Sequence, residues 1–134
     1  MSESSKTQTI LVVEDERPLL EAIRAKLELS GFTVLGARSV REAFNHLRDV
    51  PGIAAVWLDH YLLGDEDGFD FIAKCKSDES LYKHIPIFLV SNTAGSDKVQ
   101  EYMRLGAAQY YVKSDKRLAD IISDIKVYLE TTPL

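Results

Sequence analysis

Four polar positions in this 134-residue chain each sit just past a short apolar run. Ile10-Leu11-Val12-Val13 leads into Glu14-Asp15, and Ala54-Ala55-Val56-Trp57-Leu58 leads into Asp59. Ile87-Phe88-Leu89-Val90 leads into Ser91, and Tyr110-Tyr111-Val112 into Lys113. Two adjacent carboxylates, a third carboxylate, a hydroxyl and an ammonium suit a small divalent cation and a phosphoryl group, provided the fold gathers them in one crevice. Crowded carboxylates stay ionised at neutral pH when a cation sits among them. Mg²⁺ takes oxygen ligands and needs only one or two carboxylates, keeping several waters. Asp15 and Asp59 are therefore the expected direct ligands, with Glu14 holding a metal-bound water. A carboxylate is also a competent nucleophile toward phosphorus, and Asp59, alone at the end of its run, is the candidate to carry an acyl phosphate. Of the three phosphoryl oxygens, the metal would take one and the Lys113 ammonium a second. The Ser91 hydroxyl, with nearby backbone N–H groups, would take the third.

The elements that must position these groups are legible as pattern. The apolar runs are short and continuous, and stretches of helical spacing separate them, which is the signature of buried parallel strands in β-α units. Strands are expected at about 9–13, 33–37, 54–58, 87–90 and 109–112. The first helix carries Pro18 in its first turn, an apolar stripe of Leu20, Ile23 and Leu27, and Gly31 as its stop. Ser39-Val40-Arg41-Glu42 reads as a capping box opening a second helix that ends near Arg48. The remaining helices fall at about 69–76, 97–105 and 116–130. Right-handed crossovers leave few ways to wind five such units, and the favoured one is an α/β, flavodoxin-like doubly wound sheet of five parallel strands in the order 2-1-3-4-5. That order makes strands 1 and 3 neighbours and brings Glu14-Asp15 beside Asp59 on the carboxyl edge, where ligands of such sheets bind.

Composition bounds the rest. A hydrophobic fraction of 46% and a charged fraction of 28% are those of one ordinary globular domain. The expected organisation is a tail over 1–8, a domain over 9–130 and a short tail over 131–134. The net charge of -5 and the lack of a Lys/Arg cluster in sequence argue against direct nucleic-acid binding. One cysteine excludes an intramolecular disulfide, no apolar run approaches the roughly 20 residues that span a bilayer, and Met1–Gln8 lacks a signal-peptide core. The expected setting is cytoplasmic, away from membranes.

The set Glu14-Asp15-Glu16, Asp59, Ser91 and Lys113, each at the end of its expected strand, resembles the receiver (CheY-like) domain of two-component response regulators. The resemblance covers about Thr9 to Leu129. It implies that a histidine kinase or histidine phosphotransfer protein donates a phosphoryl group to Asp59, with Mg²⁺ or Mn²⁺ required. The Tyr61 backbone carbonyl would complete the metal's protein ligands. It implies a switch in which the Ser91 hydroxyl is drawn to the phosphoryl group and Tyr110 turns inward behind it. The surface of helix 4, strand 5 and helix 5 would then change shape, select an effector protein and, in one version, pair two copies of an otherwise monomeric chain. Tyr61 and Thr93, two residues beyond Asp59 and Ser91, match positions that tune phosphoryl lifetime.

Three features depart from the family pattern. Ser114 follows Lys113 where proline, entered through a cis peptide, is usual. A cis bond without proline costs about 2.5–4 kcal/mol, so a trans bond is expected. Leu63-Gly64 replaces a proline, with a one-residue insertion inferred around Asp65-Glu66-Asp67. Glu14 stands where aspartate is usual.

Plainer readings weigh against each residue alone. Glu16 reads as a helix N-terminal acid, Asp65-Glu66-Asp67 as a solvated loop, and Cys75 and Trp57 as core. His60 reads as a packing or surface residue, because strand alternation turns it away from Asp59. The favoured function is a stand-alone phosphoacceptor receiver, a switch rather than an enzyme. The alternatives are a phosphorylation-independent receiver-like binding module and a Toprim-like Mg²⁺-dependent phosphotransferase built on Glu14 with Asp65 and Asp67.

Overall fold

A computed structural model describes residues 7–92 and 95–131. Strands and helices alternate along the chain as β1 (Thr9–Val13), α1 (Arg17–Leu29), β2 (Thr33–Ala37), α2 (Val40–Asp49) and β3 (Ile53–Leu58). The second half continues with α3 (Gly68–Cys75), β4 (Ile87–Ser91), α4 (Ser96–Leu105), β5 (Gln109–Val112) and α5 (Leu118–Thr131). The strands form one parallel sheet in the order β2-β1-β3-β4-β5, as expected. The Lys113–Ser114 peptide is trans, also as expected.

Alternation along the strands splits the core into two layers. Leu11, Val13, Val56, Leu58, Ile87 and Leu89 face α2, α3 and α4, where Ala43, Leu47, Phe71, Ile72 and Tyr102 meet them. Ile10, Val12, Ala55, Trp57, Phe88 and Val90 face α1 and α5, against Ile23, Leu27, Ile121 and Ile125. Both sheet faces are covered, which is why the strands read as continuous apolar runs. Trp57 and Cys75 are buried, as their core reading required. Among the described residues no helix is long and apolar enough to cross a membrane.

Helix ends follow local chemistry. Pro18 lies in the first turn of α1, and Gly31, at φ 99°, closes it. The Gly31 and Phe32 N–H groups donate back to the Glu28 and Leu27 carbonyls, a Schellman closure. At α2 the Ser39 side chain accepts from the Glu42 N–H, while the Glu42 carboxylate reaches the Arg38 N–H rather than that of Ser39, so the expected box closes one residue early.

The stretch expected as a solvated loop is partly structural. Asp67 caps α3 in a full capping box with Asp70, so the helix starts at Gly68, and Glu66 pairs with Lys74. That disfavours the Toprim-like reading: Asp67 is engaged at the helix end, and among the described residues the carboxylates that cluster with Glu14 are Asp15 and Asp59, not Asp65 or Asp67. The expected tails fall mostly outside the described residues; Thr131 belongs to α5.

Gly68 is required by close approach. A Cβ there would overlap the Tyr102 hydroxyl and stand 3.0 Å from the His60 Cα and 3.1 Å from the Asp59 carbonyl oxygen. Gly68→Ala is expected to destabilise the fold by about 1–3 kcal/mol in urea denaturation. Adding Tyr102→Phe should recover part of that loss, because the hydroxyl is the nearest obstacle; fully additive losses would refute the clash.

Candidate functional site

The strand ladders run one step beyond the strands and so fix the site. The Glu14 N–H donates to the Ala37 carbonyl at 2.9 Å, the Asp59 N–H to Val13 at 3.0 Å, and the Lys113 N–H to Ser91 at 2.9 Å. Each polar residue is thus locked to the strand beside its own. The result is a cleft of about 190 Å³ lined by Asp15, Glu16, Asp59, Tyr61, Asn92 and Lys113. Arg38, whose Nε donates to the Asp15 carbonyl at 2.8 Å, ties the β1–α1 turn to the end of β2.

Glu14, Asp15 and Asp59 each offer a carboxylate oxygen, and these oxygens lie within 4.8 Å of one another. Lys113 Nζ stands between two of them, 3.0 Å from Glu14 Oε1 and 3.6 Å from Asp59 Oδ1. The ammonium therefore binds Glu14 more closely than Asp59. Glu14 Oε2 also accepts from the Glu16 N–H at 3.2 Å. Burial, then the Asp59 charge, pushes the Glu14 carboxyl up from 4.5 to about 7 despite Lys113. Burial likewise raises Asp59, opposed by Lys113, the His60 N–H and Ser91.

Ser91 is fully buried and shares hydrogen bonds with Asp59 and with Tyr110. Tyr110 is half-buried, and its ring centroid lies 5.8 Å from that of Tyr102 on α4. Tyr61 is exposed at the cleft mouth, with Lys98 Nζ 5.1 Å from its ring centroid. Thr93 lies outside the described residues. Glu16 is the N-cap residue of α1 but makes no side-chain cap bond, and it lines the cleft instead.

A donor set of oxygens alone, with three carboxylates at this spacing, fits Mg²⁺ or Mn²⁺. The raised Glu14 and Asp59 carboxyls fit as well, since a divalent ion relieves the repulsion and dehydration that raise them.

A family model for the response regulator receiver domain matches residues 10–125. The chain belongs to this family. Among relatives, the receiver is 28% identical over 125 residues to the phosphate regulon transcriptional regulatory protein PhoB of Pseudomonas aeruginosa, covering 93% of this chain and 53% of that one. It is 27% identical over 124 residues to the polar-differentiation response regulator DivK of Brucella ovis, covering 92% of this chain and 97% of that one. The receiver spans only 40% of the two-component response regulator PprB of Pseudomonas aeruginosa, at 28% identity over 82% of its own length. Among solved structures, the non-phosphorylated HemR receiver domain of Leptospira biflexa matches with a TM-score of 0.81 at 27% identity, covering 96% of this chain and 98% of that one. A CheY-like receiver domain protein of Methanospirillum hungatei shares the fold with a TM-score of 0.82 at 22% identity, covering 93% and 95% of the two chains.

One residue of the receiver's cleft was missed by pattern reading. Asn92 lines the cleft directly after Ser91, and only its place at a strand end hinted at that. His60, read as a packing or surface residue, packs outside the cleft: it is buried, with Nδ1 2.5 Å from the Tyr102 hydroxyl and the ring 4.9 Å from Phe69, centroid to centroid. Burial and the nearby Lys98 hold its imidazole below the ordinary histidine range.

The carboxyl shifts set a pH dependence. Glu14 binds its proton more tightly folded than unfolded, so stability in chelator should fall as pH rises from 4.5 to about 7. Mg²⁺ should reverse the loss by binding the folded state, and protons should compete with it. Thermal unfolding is expected to show a larger Mg²⁺-induced rise in Tm at pH 7.5 than at pH 5; an equal or absent rise at both would contradict the assigned carboxylate site.

Proposed function

We propose that this receiver accepts a phosphoryl group on Asp59 from the phosphohistidine of a histidine kinase or histidine phosphotransfer protein. The observation that supports it is the meeting of Asp59 with Glu14, Asp15, Ser91 and Lys113 at one sheet edge. Glu14, Asp15, Asp59 and the Tyr61 backbone carbonyl would hold the divalent ion, which supplies positive charge against the phosphoryl oxygens when bound.

The chain's own residues do the rest. An Asp59 carboxylate oxygen attacks phosphorus as the donor's N–P bond breaks, and the donor imidazole leaves after taking a proton. Lys113 swings from Glu14 toward the new phosphoryl oxygens, a move of little distance given that it already faces both carboxylates. Ser91 trades its hydrogen bond to the Asp59 carboxylate for one to a phosphoryl oxygen. Tyr110, bonded to Ser91, carries that change to the face of α4, β5 and α5. That face would meet the effector or a second copy. Tyr61 covers the mouth of the cleft and would slow hydrolytic water, with Thr93 in the matching role beyond Ser91.

The product is a signal carried by protein contact, so the receiver acts as a cytoplasmic switch rather than an enzyme.

Acetyl phosphate with Mg²⁺ is expected to add one phosphoryl mass to the protein, and Asp59→Ala to abolish it. An unlabelled wild type, or an equally labelled variant, would overturn the assignment. Tyr110→Ala is expected to keep labelling but weaken effector or self-association in pull-down and sedimentation assays. Parallel loss of labelling and association would remove Tyr110 from the switch.

A further inference from the structure

The face of the sheet under α1 and α5 holds a groove beside the acidic cleft. It encloses about 590 Å³, within the size range of small-molecule sites. Trp57 and Val90 form its floor, Ile23 lines the α1 side, and Leu118 and Ile121 line the α5 side. A second recess of about 320 Å³ shares Lys26 and Ala119 with it and extends the groove toward Lys126.

Two observations say what the groove would take. Trp57 is fully buried, yet among the described residues its indole N–H has no hydrogen-bond partner. Buried donors are nearly always met, so an unmet one at the floor of a cavity asks for an acceptor from outside the chain. Around the rim stand Lys26 of α1 and Lys116 and Arg117 just before α5, with Lys113 at the inner end. In a chain of net charge -5, folding brings Lys26 of α1 beside the 113–117 segment that carries Lys113, Lys116 and Arg117. Asp124 pairs with Lys116 at 3.1 Å and Asp120 with Arg117 at 3.4 Å, both in solvent. Such exposed pairs are weak and yield to an incoming anion.

We propose that the α1–α5 groove binds a small amphipathic anion. Its apolar body lies between the helices over Trp57 and Ile121, an acceptor atom meets the Trp57 N–H, and an anionic group sits among Lys26, Lys116 and Arg117. Lys113 lines both this groove and the acidic cleft. Ligand binding and phosphorylation therefore share a wall and influence one another reciprocally. That coupling rests on the phosphoacceptor reading; the binding itself does not.

Trp57 is the only tryptophan in the chain, so its fluorescence reports on the groove directly. The probe is a methoxynaphthoic acid with its ether and carboxylate at opposite ends of the ring. Titration should quench Trp57 saturably, with one probe per chain. Its neutral methyl ester should bind more weakly, and Lys26→Glu should weaken the acid about fivefold. Ala119→Phe, which fills the groove from the exposed side of α5, should abolish quenching. If that variant fails to fold, the surface change Lys26→Glu decides alone. Quenching that never saturates, or that is untouched by the variants and by loss of the carboxylate, would overturn the site as adventitious contact. Acetyl phosphate labelling is then followed with and without probe. A changed labelling rate supports the shared wall, and an unchanged rate overturns the coupling alone. Saturable quenching in a protein that never labels would instead sink the phosphoacceptor reading and leave the site standing.

Discussion

Like charges forced together at one edge of a sheet are the constraint on which this molecule turns. Three carboxylate oxygens within 4.8 Å of one another repel, and burial strips away the water that would soften the repulsion. The fold does not avoid this. It extends the β1, β3 and β5 ladders by one hydrogen bond each, so that Glu14, Asp59 and Lys113 cannot drift apart without breaking backbone pairing. A single ammonium, nearer Glu14 than Asp59, offsets part of the repulsion. What remains is a standing preference for added positive charge, and that preference gives the cleft its chemistry. The two apolar layers on either side of the sheet are the frame that resists the strain.

The strands were legible because both faces of the sheet are covered. A buried parallel strand must be apolar throughout, so Ile10–Val13 and Ile87–Val90 declared themselves, and the polar residue that broke each run marked the carboxyl edge. Handedness then made β1 and β3 neighbours, and with that Glu14, Asp15 and Asp59 followed. Helix starts were less legible, since they depend on which side chain wins a few backbone N–H groups. Asp67 read as a loop acid because one acidic residue among three looks like its neighbours until geometry selects it as the cap of α3. Glu42 read as one half of a reciprocal box, yet its longer arm reached the preceding N–H of Arg38.

His60 shows a different limit. Alternation turned it away from Asp59, and away from the cleft it lies. Sequence spacing does not show what waits there, because Tyr102 comes from α4, 42 residues later. The hydroxyl of Tyr102 fills the hole beside His60, its ring stacks on Phe69 at 4.3 Å, and its other side meets Tyr110. α4 is thereby pinned to the segment that follows the acidic cleft. The same holds for the groove beneath α1 and α5, where Lys26 and Arg117 are distant in sequence and meet only once the helices pack.

The fit of Tyr102 against Gly68 and His60 carries a consequence for descent as well as for structure. These three positions form a lock whose parts constrain one another. A lineage that keeps tyrosine on α4 is bound to glycine at the start of α3, because backbone atoms on the far side leave nowhere for a methyl group to go. One that trims the tyrosine relieves only the hydroxyl clash, since the His60 Cα and the Asp59 carbonyl oxygen still crowd a methyl group, and it strands the imidazole. Covariation among descendants of this chain should therefore tie residues 60, 68 and 102 to one another more tightly than any of them is tied to the carboxylates nearby.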